Sequence, residues 1–212
     1  MTSVSGVGVI DKGMRILQTL RDGPADLGEL HSSTGLPRAT AHRLAVAFEQ
    51  YGLVRRDARG RFCLGFELVA LGRVAAEQFG LGEVALPVLE ALRDSCGESV
   101  QLYVREGLAR RCAVSLQSPH GLRWIVAEGS LLPLDVGSAG RVLLDQEVLS
   151  QSVEEREPGV ASVSAAVRDT RGETIAAVSV SGPIERLSRQ PLSRFGEAVA
   201  FAAAEISALV TG

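Results

Sequence analysis

Residues 34–65, TGLPRATAHRLAVAFEQYGLVRRDARGRFCLG, read as a turn, a helix and a basic hairpin. Gly35 can take the left-handed conformation that ends one helix, and Pro37 suits the first turn of the next, where its missing N–H would have had no partner. Across 37–51, Ala41, Leu44, Ala45 and Phe48 recur at helical spacing and leave Arg38, Ala39, His42, Arg43 and Glu49 on the outer face. Long donors beside small neighbours near a helix N-terminus are what entry into a DNA major groove requires. The competing reading is an ordinary amphipathic surface helix.

Working outward, Val9, Gly13, Ile16, Leu17 and Leu20 share one face of a first helix that Asp22-Gly23-Pro24 ends. Asp26 stands three residues before Glu29, an opening similar to a capping box, and a short second helix follows, closed at 32–35. Three helices with a tight Gly turn between the last two form a helix-turn-helix. Downstream, the extended runs 53–57 and 61–64 flank Ala58-Arg59-Gly60, a three-residue hairpin loop, which completes a winged helix. Leu53, Phe62 and Leu64 are expected to cover the core, leaving Arg55, Arg56, Arg59 and Arg61 free to meet phosphates or a minor groove. A merely solvated charged face is the alternative.

The chain has 212 residues and a formal charge of −3, yet its first 80 residues carry +2 and the remainder −5. Six arginines against Glu49 and Asp57 within 37–61 make that stretch a basic island in an acidic protein. Apolar residues make up 46% of the chain, enough for buried cores. No run of 18 apolar residues occurs and the first residues lack a signal-peptide pattern, so a cytoplasmic protein with no membrane partner is expected. Cys63, Cys96 and Cys112 are odd in number and widely spaced, which suggests neither a disulfide framework nor a metal site.

Residues 66–78 form another helical stripe, Leu68, Leu71, Val74 and Ala75, with little reason to pack on the small domain before it; we read it as a linker helix able to pair with its copy, the alternative being a fourth core helix. A further helix is expected over 82–95. Then 99–105, 111–116 and 122–127 read as strands of a meander, 160–168 and 174–181 as a hairpin, and 192–210 as a closing helix. Strands flanked by helices make an α+β domain of about 130 residues.

That second half lacks a catalytic constellation: the three histidines are scattered, and no nucleotide loop or metal-ligand spacing appears. An enzyme is not expected, and no cofactor is implied. Its serines say more. Ser162 and Ser164 share a face of one strand, and Ser179 and Ser181 a face of the next, so paired hydroxyls could line a pocket for a small polar ligand. If 138–144 is a short helix, its first N–H groups could hold a carboxylate. Serines facing solvent on an exposed sheet are the competing reading. A cysteine-based redox sensor stays open as a second class of function.

VGVIDKGMRIL, GLPRATAHRL, the F-x-L-G closing the wing, LPLDVGSAGRVLL, EREPGVASVSAAV and AAVSVSGPIERL together resemble the IclR family of bacterial transcriptional regulators over essentially the whole chain, and within it most closely the actinobacterial NdgR group, associated with amino-acid metabolism. The resemblance implies a winged helix-turn-helix on operator DNA over 1–65, a linker helix over 66–80 and a GAF-like α+β domain over 81–212 that binds a small effector, in a homodimer or dimer of dimers. Carried over residue by residue, Arg38, Ala39, Thr40, His42 and Arg43 lie on the recognition helix, and Ser138, Ala139, Ser162, Ser179 and Ser181 at the effector cavity, to which the shared strand face adds Ser164. Ser162 departs from relatives that often carry Cys there. Relatives also have a few tens of residues where only 145–154 stand here, which leaves two readings: a lost pocket wall, or a mobile loop missing from the sequence in hand, the one we favour.

Overall fold

A computed structural model describes residues 6–77 and 80–211, which fall into two compact units that part between residues 77 and 80. The first unit holds α1 (Gly8–Arg21), α2 (Leu27–Thr34), α3 (Arg38–Gln50), β1 (Val54–Arg56), β2 (Phe62–Leu64) and α4 (Glu67–Glu77). The capping box at α2 is complete: Glu29 N–H donates to Asp26 Oδ1 (2.9 Å) and Asp26 N–H to Glu29 Oε2 (2.7 Å). Gly35 ends the helix at φ +66°, and the turn is held by Thr34 Oγ1, which donates to Leu30 O, and by His31, whose Nδ1 lies 2.6 Å from Leu36 O. Ile16, Leu30, Ala41, Ala45, Val54 and Phe62 close the core.

β2 is bonded on both sides. It pairs antiparallel with β1, and its Phe62 also exchanges two backbone hydrogen bonds with Ala25, both 2.9 Å. The wing is thereby fastened to the α1–α2 loop. Two packing expectations change. Val54 rather than Leu53 points inward, because strand side chains alternate and a one-residue offset reverses the face. Val9 is 60% exposed, together with Val7, Ile10 and Met14, since the first turns of α1 extend past the core. On α4, Val69, Leu71 and Val74 are likewise exposed; Gln78, the expected end of that helix, lies outside the described residues.

The second unit is built on one antiparallel sheet in the order β5-β4-β3-β8-β7-β6, from β3 (Ser99–Glu106), β4 (Ala109–Leu116), β5 (Leu131–Pro133), β6 (Leu149–Val153), β7 (Val160–Arg168) and β8 (Thr174–Pro183). α5 (Gly80–Cys96) and α8 (Pro191–Thr211) pack on one face, where Val100, Leu102, Val163, Val178, Val180, Val199 and Ile206 form the main core. The other face carries α6 (Ser138–Leu143), and α7 (Ile184–Leu187) follows β8.

The strand expected over 122–127 is absent, and β5 stands further along. Hydroxyls there do what a ladder would have done: Ser99 Oγ donates to Trp124 O (2.7 Å) and Ser115 Oγ to Val126 O. With those carbonyls bonded to side chains, the segment runs across the sheet without joining it. The short stretch 145–154, for which no strand was expected, contains β6, in register with β7 from Leu149↔Ala165 to Val153↔Ala161.

The capping box is the most isolable of these local devices. Asp26→Ala should lower unfolding free energy by about 1 kcal/mol, the usual worth of an N-cap, measured by chemical denaturation; no change would mean that the box is decorative.

Candidate functional site

Arg38, Ala39, His42 and Arg43 project from α3 into solvent, with Thr40 half-buried beside them, and the side chains of Arg38, His42 and Arg43 make no hydrogen bond or ion pair among the described residues. The wing is more constrained than expected. Arg56 donates through Nε to Glu49 (3.2 Å) and through Nη1 to Gly60 O (3.1 Å), and stacks on the Phe62 ring at 4.1 Å. Arg61 pairs with Asp57 (2.8 Å), whose other oxygen accepts the N–H groups of Arg59 and Arg61. These bonds hold the Asp57 carboxyl below the usual carboxylate range, led by the Arg61 N–H. Arg56 and Arg61 are therefore not free: they brace the hairpin. Arg59 at its tip has a guanidinium with no ion pair among the described residues, and Arg55 lies over the Phe66 ring.

The serine faces converge, and more widely than the two strands first suggested. Register places Ser152, Ser162, Ser181 and Ser99 in one row across β6, β7, β8 and β3, and Ser150, Ser164, Ser179, Gln101 and Ser115 in the next row, which reaches β4. All stand opposite the face that packs on α5 and α8. Ser138 of α6 sits on these rows: its Oγ is 2.7 Å from Ser162 Oγ and 2.8 Å from Ser164 Oγ, and Ser164 donates to Ser179 (2.9 Å). With one proton per hydroxyl, the chain runs Ser162 to Ser138 to Ser164 to Ser179, which leaves the Ser179 proton for another acceptor. Ser181 donates to Gln101 Oε1 at 2.8 Å.

Above the rows lies a cavity of about 40 Å³ lined by Ser138, Ala139, Ser162, Ser179 and Ser181, together with Tyr103, Arg110, Trp124, Ser152, Arg156 and Glu157. Ser164 is fully buried beneath it and supports Ser138 and Ser179. The expected solvent-facing alternative for these serines is thus excluded. Gly140 permits the close seat of α6, since a Cβ there would overlap the backbone oxygen of Leu134. Burial pushes the Tyr103 phenol up to about 12, so it stays neutral. The start of α6 is already engaged by the chain's own acid: Gly137 N–H donates to Glu155 Oε2 (3.2 Å), which also pairs with Arg141 (2.8 Å). The N–H just ahead of α6 is therefore taken by the chain's own acid.

Ser150, Ser152, Ser99 and Gln101 were missed, although LSQSV and SVQLY show the same alternation that exposed the other serines. Arg110 carried no such signal. It is 3% exposed, and in the sequence it is one of two adjacent arginines indistinguishable from a surface pair. Among the cysteines, burial raises the Cys96 thiol and pushes Cys112 up to about 12. Neither has the thiolate character of a redox sensor. Among the described residues, no group of three or more His, Cys, Asp or Glu could hold a metal ion, and no helix is long and apolar enough to cross a membrane.

Two outcomes test this site. Ser164→Val should cost about 1–3 kcal/mol in denaturant melts, because it leaves Ser138 and Ser179 buried without their shared partner; a neutral result would mean that the hydroxyl chain is not formed. Arg141 chiefly holds Glu155 below the ordinary carboxylate range, against the opposing effect of burial. A depressed folded pKa contributes stability that is complete above the unfolded value of about 4.3 and is lost as pH falls through the folded value. Acid titration followed by the fluorescence of Trp124, the single tryptophan, should therefore show a transition below about pH 4 that is weakened in Arg141→Met.

The sequence model of the IclR helix-turn-helix domain matches residues 9–58, and that of the bacterial transcriptional regulator IclR C-terminal domain matches 146–208. The HTH-type transcriptional regulator KipR of Bacillus subtilis is 31% identical over 134 residues, covering 63% of this chain and 54% of KipR. The transcriptional repressor IclR of Escherichia coli is 25% identical over 241 residues, covering 93% of this chain and 88% of that protein. That alignment is longer than the 212-residue chain, so the repressor has residues with no counterpart here. Among solved structures, an IclR homologue from Microbacterium hydrocarbonoxydans, in complex with 4-hydroxybenzoate, shares the fold at a TM-score of 0.83 and 20% identity, covering 95% of this chain and 98% of the other. With matching models over both halves and regulators rather than enzymes as its relatives, the chain belongs to the IclR family of DNA-binding transcriptional regulators.

Proposed function

We propose that this regulator binds an operator through α3 and the wing, and that a small amino acid or organic acid in the serine-lined cavity controls it, with genes of that metabolism as targets. In this reading the protein is cytoplasmic, is most like the NdgR group, and divides into a DNA-binding domain over 1–65, a linker helix over 66–80 and an effector domain over 81–212. The observation that carries the proposal is the hydroxyl chain from Ser162 to Ser179, largely buried beneath a small cavity: small polar side chains at that depth leave space that a core would otherwise fill. The 4-hydroxybenzoate held by the Microbacterium homologue is a precedent for a small acid on this fold.

On DNA, Arg38, His42 and Arg43 are the readers, with Ala39 and Thr40 allowing close approach, while Arg55 and Arg59 meet phosphates or the minor groove. Arg56 and Arg61 act by holding the wing in shape. The exposed apolar side chains of α1 (Val9, Ile10, Met14) and α4 (Val69, Leu71, Val74) support pairing with a second copy, so that two recognition helices meet two half-sites in a homodimer or a dimer of dimers. Effector control then requires that the ligand favour one arrangement of the pair over another.

Gel shifts on the protein's own upstream DNA test the first half. Arg38→Ala or Arg43→Ala should weaken specific binding by about 1–3 kcal/mol and relax sequence preference, whereas Arg59→Ala should weaken all sequences alike and reduce the salt slope by about one. Unchanged affinity in all three variants would refute the DNA face. Replacing Ser179 and Ser181 with Leu should abolish the effector response and spare DNA binding; a retained response would place the effector elsewhere.

A further inference from the structure

The floor of the cavity is fixed and its roof is not. Below it, β3, β8, β7 and β6 are joined by antiparallel ladders, and Ser138 holds α6 against them. The roof comes from two segments outside the sheet, one carrying Trp124 and the other Arg156, whose guanidinium lies 5.1 Å from the centre of the Trp124 ring. The segment of Arg156 is well tied. Glu154 N–H donates to Val160 O (2.8 Å), Gly159 N–H to Glu154 Oε1 (3.0 Å) and Ile184 N–H to Gly159 O (2.8 Å), and Glu155 pairs with Arg141. The segment of Trp124 is held differently. Among the described residues no backbone–backbone hydrogen bond involves 117–126, and side chains donate to its carbonyls instead: Arg186 to Leu122 (2.9 Å), Ser99 to Trp124 (2.7 Å) and Ser115 to Val126. Its two ends are firm. Arg186 is gripped by the buried Glu98 through two bonds (2.5 and 2.9 Å), and Gly129 and Ser130 share backbone bonds with Cys112 (2.7 and 2.9 Å).

We propose that residues 123–128 are a strap that opens as one local unit between those ends, lifting Trp124 off Arg156, and that this opening is the entrance to the serine-lined cavity. Its purpose rests on the cavity being the effector site, while the motion itself needs neither effector nor operator. A space of about 40 Å³ takes only a few atoms, so a larger guest enters only where a wall yields. The wall that yields is the one held least. Hydrogen bonds to a segment mostly at the surface, with one cation–π contact, are individually weak, and a stretch without a ladder opens far more readily than a core strand. Gly121 and Gly129, the latter at φ +77°, flank the strap and can absorb the change of backbone direction. Closure also leaves two buried donors without partners, Gln101 Nε2 in the row below and Arg110 Nε in the lining. A buried donor without an acceptor raises the free energy of the closed arrangement, and opening brings water to the row, so closure is less stable than its bonds alone would make it.

Cys112 is a built-in reporter, fully buried in the cluster that contains Val126 of the strap together with Tyr103 and Ala139 of the cavity lining. Labelling the full chain with iodoacetamide in urea below the unfolding transition, read at each cysteine by peptide mass spectrometry, measures the opening that exposes each thiol. Cys112 should label with a urea dependence below about a third of that of global unfolding, because a local opening exposes little surface. Arg156→Gln should speed Cys112 labelling by about two- to fivefold, the worth of one exposed cation–π contact, and raise acrylamide quenching of Trp124, the single tryptophan. The rates at Cys63 and Cys96 and the urea midpoint should not change in that variant. Where Arg156→Gln does not fold, the urea dependence at Cys112 in the unmodified protein decides. Labelling of Cys112 with the full urea dependence of unfolding overturns the strap. So does a folded Arg156→Gln in which either Cys112 labelling or Trp124 quenching is unchanged, or in which all three thiols speed up together. The operator gel shift is independent: a protein whose strap opens but that shifts no operator contradicts the regulatory reading alone, and one that shifts its operator but exposes Cys112 only by unfolding contradicts the strap alone.

Discussion

The hydroxyl chain Ser162, Ser138, Ser164 and Ser179 seats the short helix α6 on two neighbouring strands, and the chemistry of the second unit follows from it. Buried hydroxyls are tolerated where each proton finds an acceptor, and a chain of them must be complete or it destabilises the fold. Here the chain is complete at every link except its end, and that end faces the cavity. The same small side chains that allow α6 to approach leave the space above them empty. Seat and cavity are one feature.

Around that seat, charge is distributed in two ways. Arg141 and Glu155 are paired with each other, engage the N–H of Gly137 just before α6, and bond the edge strand through Arg141 to Gln151 O. Arg110 is enclosed, bonds the carbonyls of Pro133 and Val136, and makes no ion pair among the described residues. The first arrangement is an ion pair at the edge of the sheet, and the second is a buried cation held by backbone carbonyls. The wing shows the same division on a smaller scale: Arg56 and Arg61 are tied down by Glu49 and Asp57 so that Arg59 is presented at a fixed tip.

Much of the first unit was legible in the sequence because its signals are local. Gly35 at positive φ, the Asp26–Glu29 box and the 3.6-residue spacing of Ala41 and Ala45 each declare themselves within one or two turns. Val9 failed for the same reason: periodicity names a face, and only packing tells where along the helix that face stops being covered. In the second unit the hairpin of β7 and β8 was readable from alternation, yet 122–127 was not, because Ser99 and Ser115, distant in sequence, take up its carbonyls. The edge strand within 145–154 was not legible, because its pairing with β7 is set by register and not by a pattern within those ten residues.

By itself the sequence determined the helix-turn-helix, the basic hairpin and the serine faces of β7 and β8, all of which depend on residues a few positions apart. Only the tertiary structure decided that four strands share those polar rows, that Ser164 supports the cavity rather than lining it, and that Arg110 faces the cavity while Arg111 beside it bonds Glu106 at the surface. The physical reason is register. Cross-strand pairing between residues up to about eighty positions apart sets which alternate side chains become neighbours, and no local pattern in the chain records it.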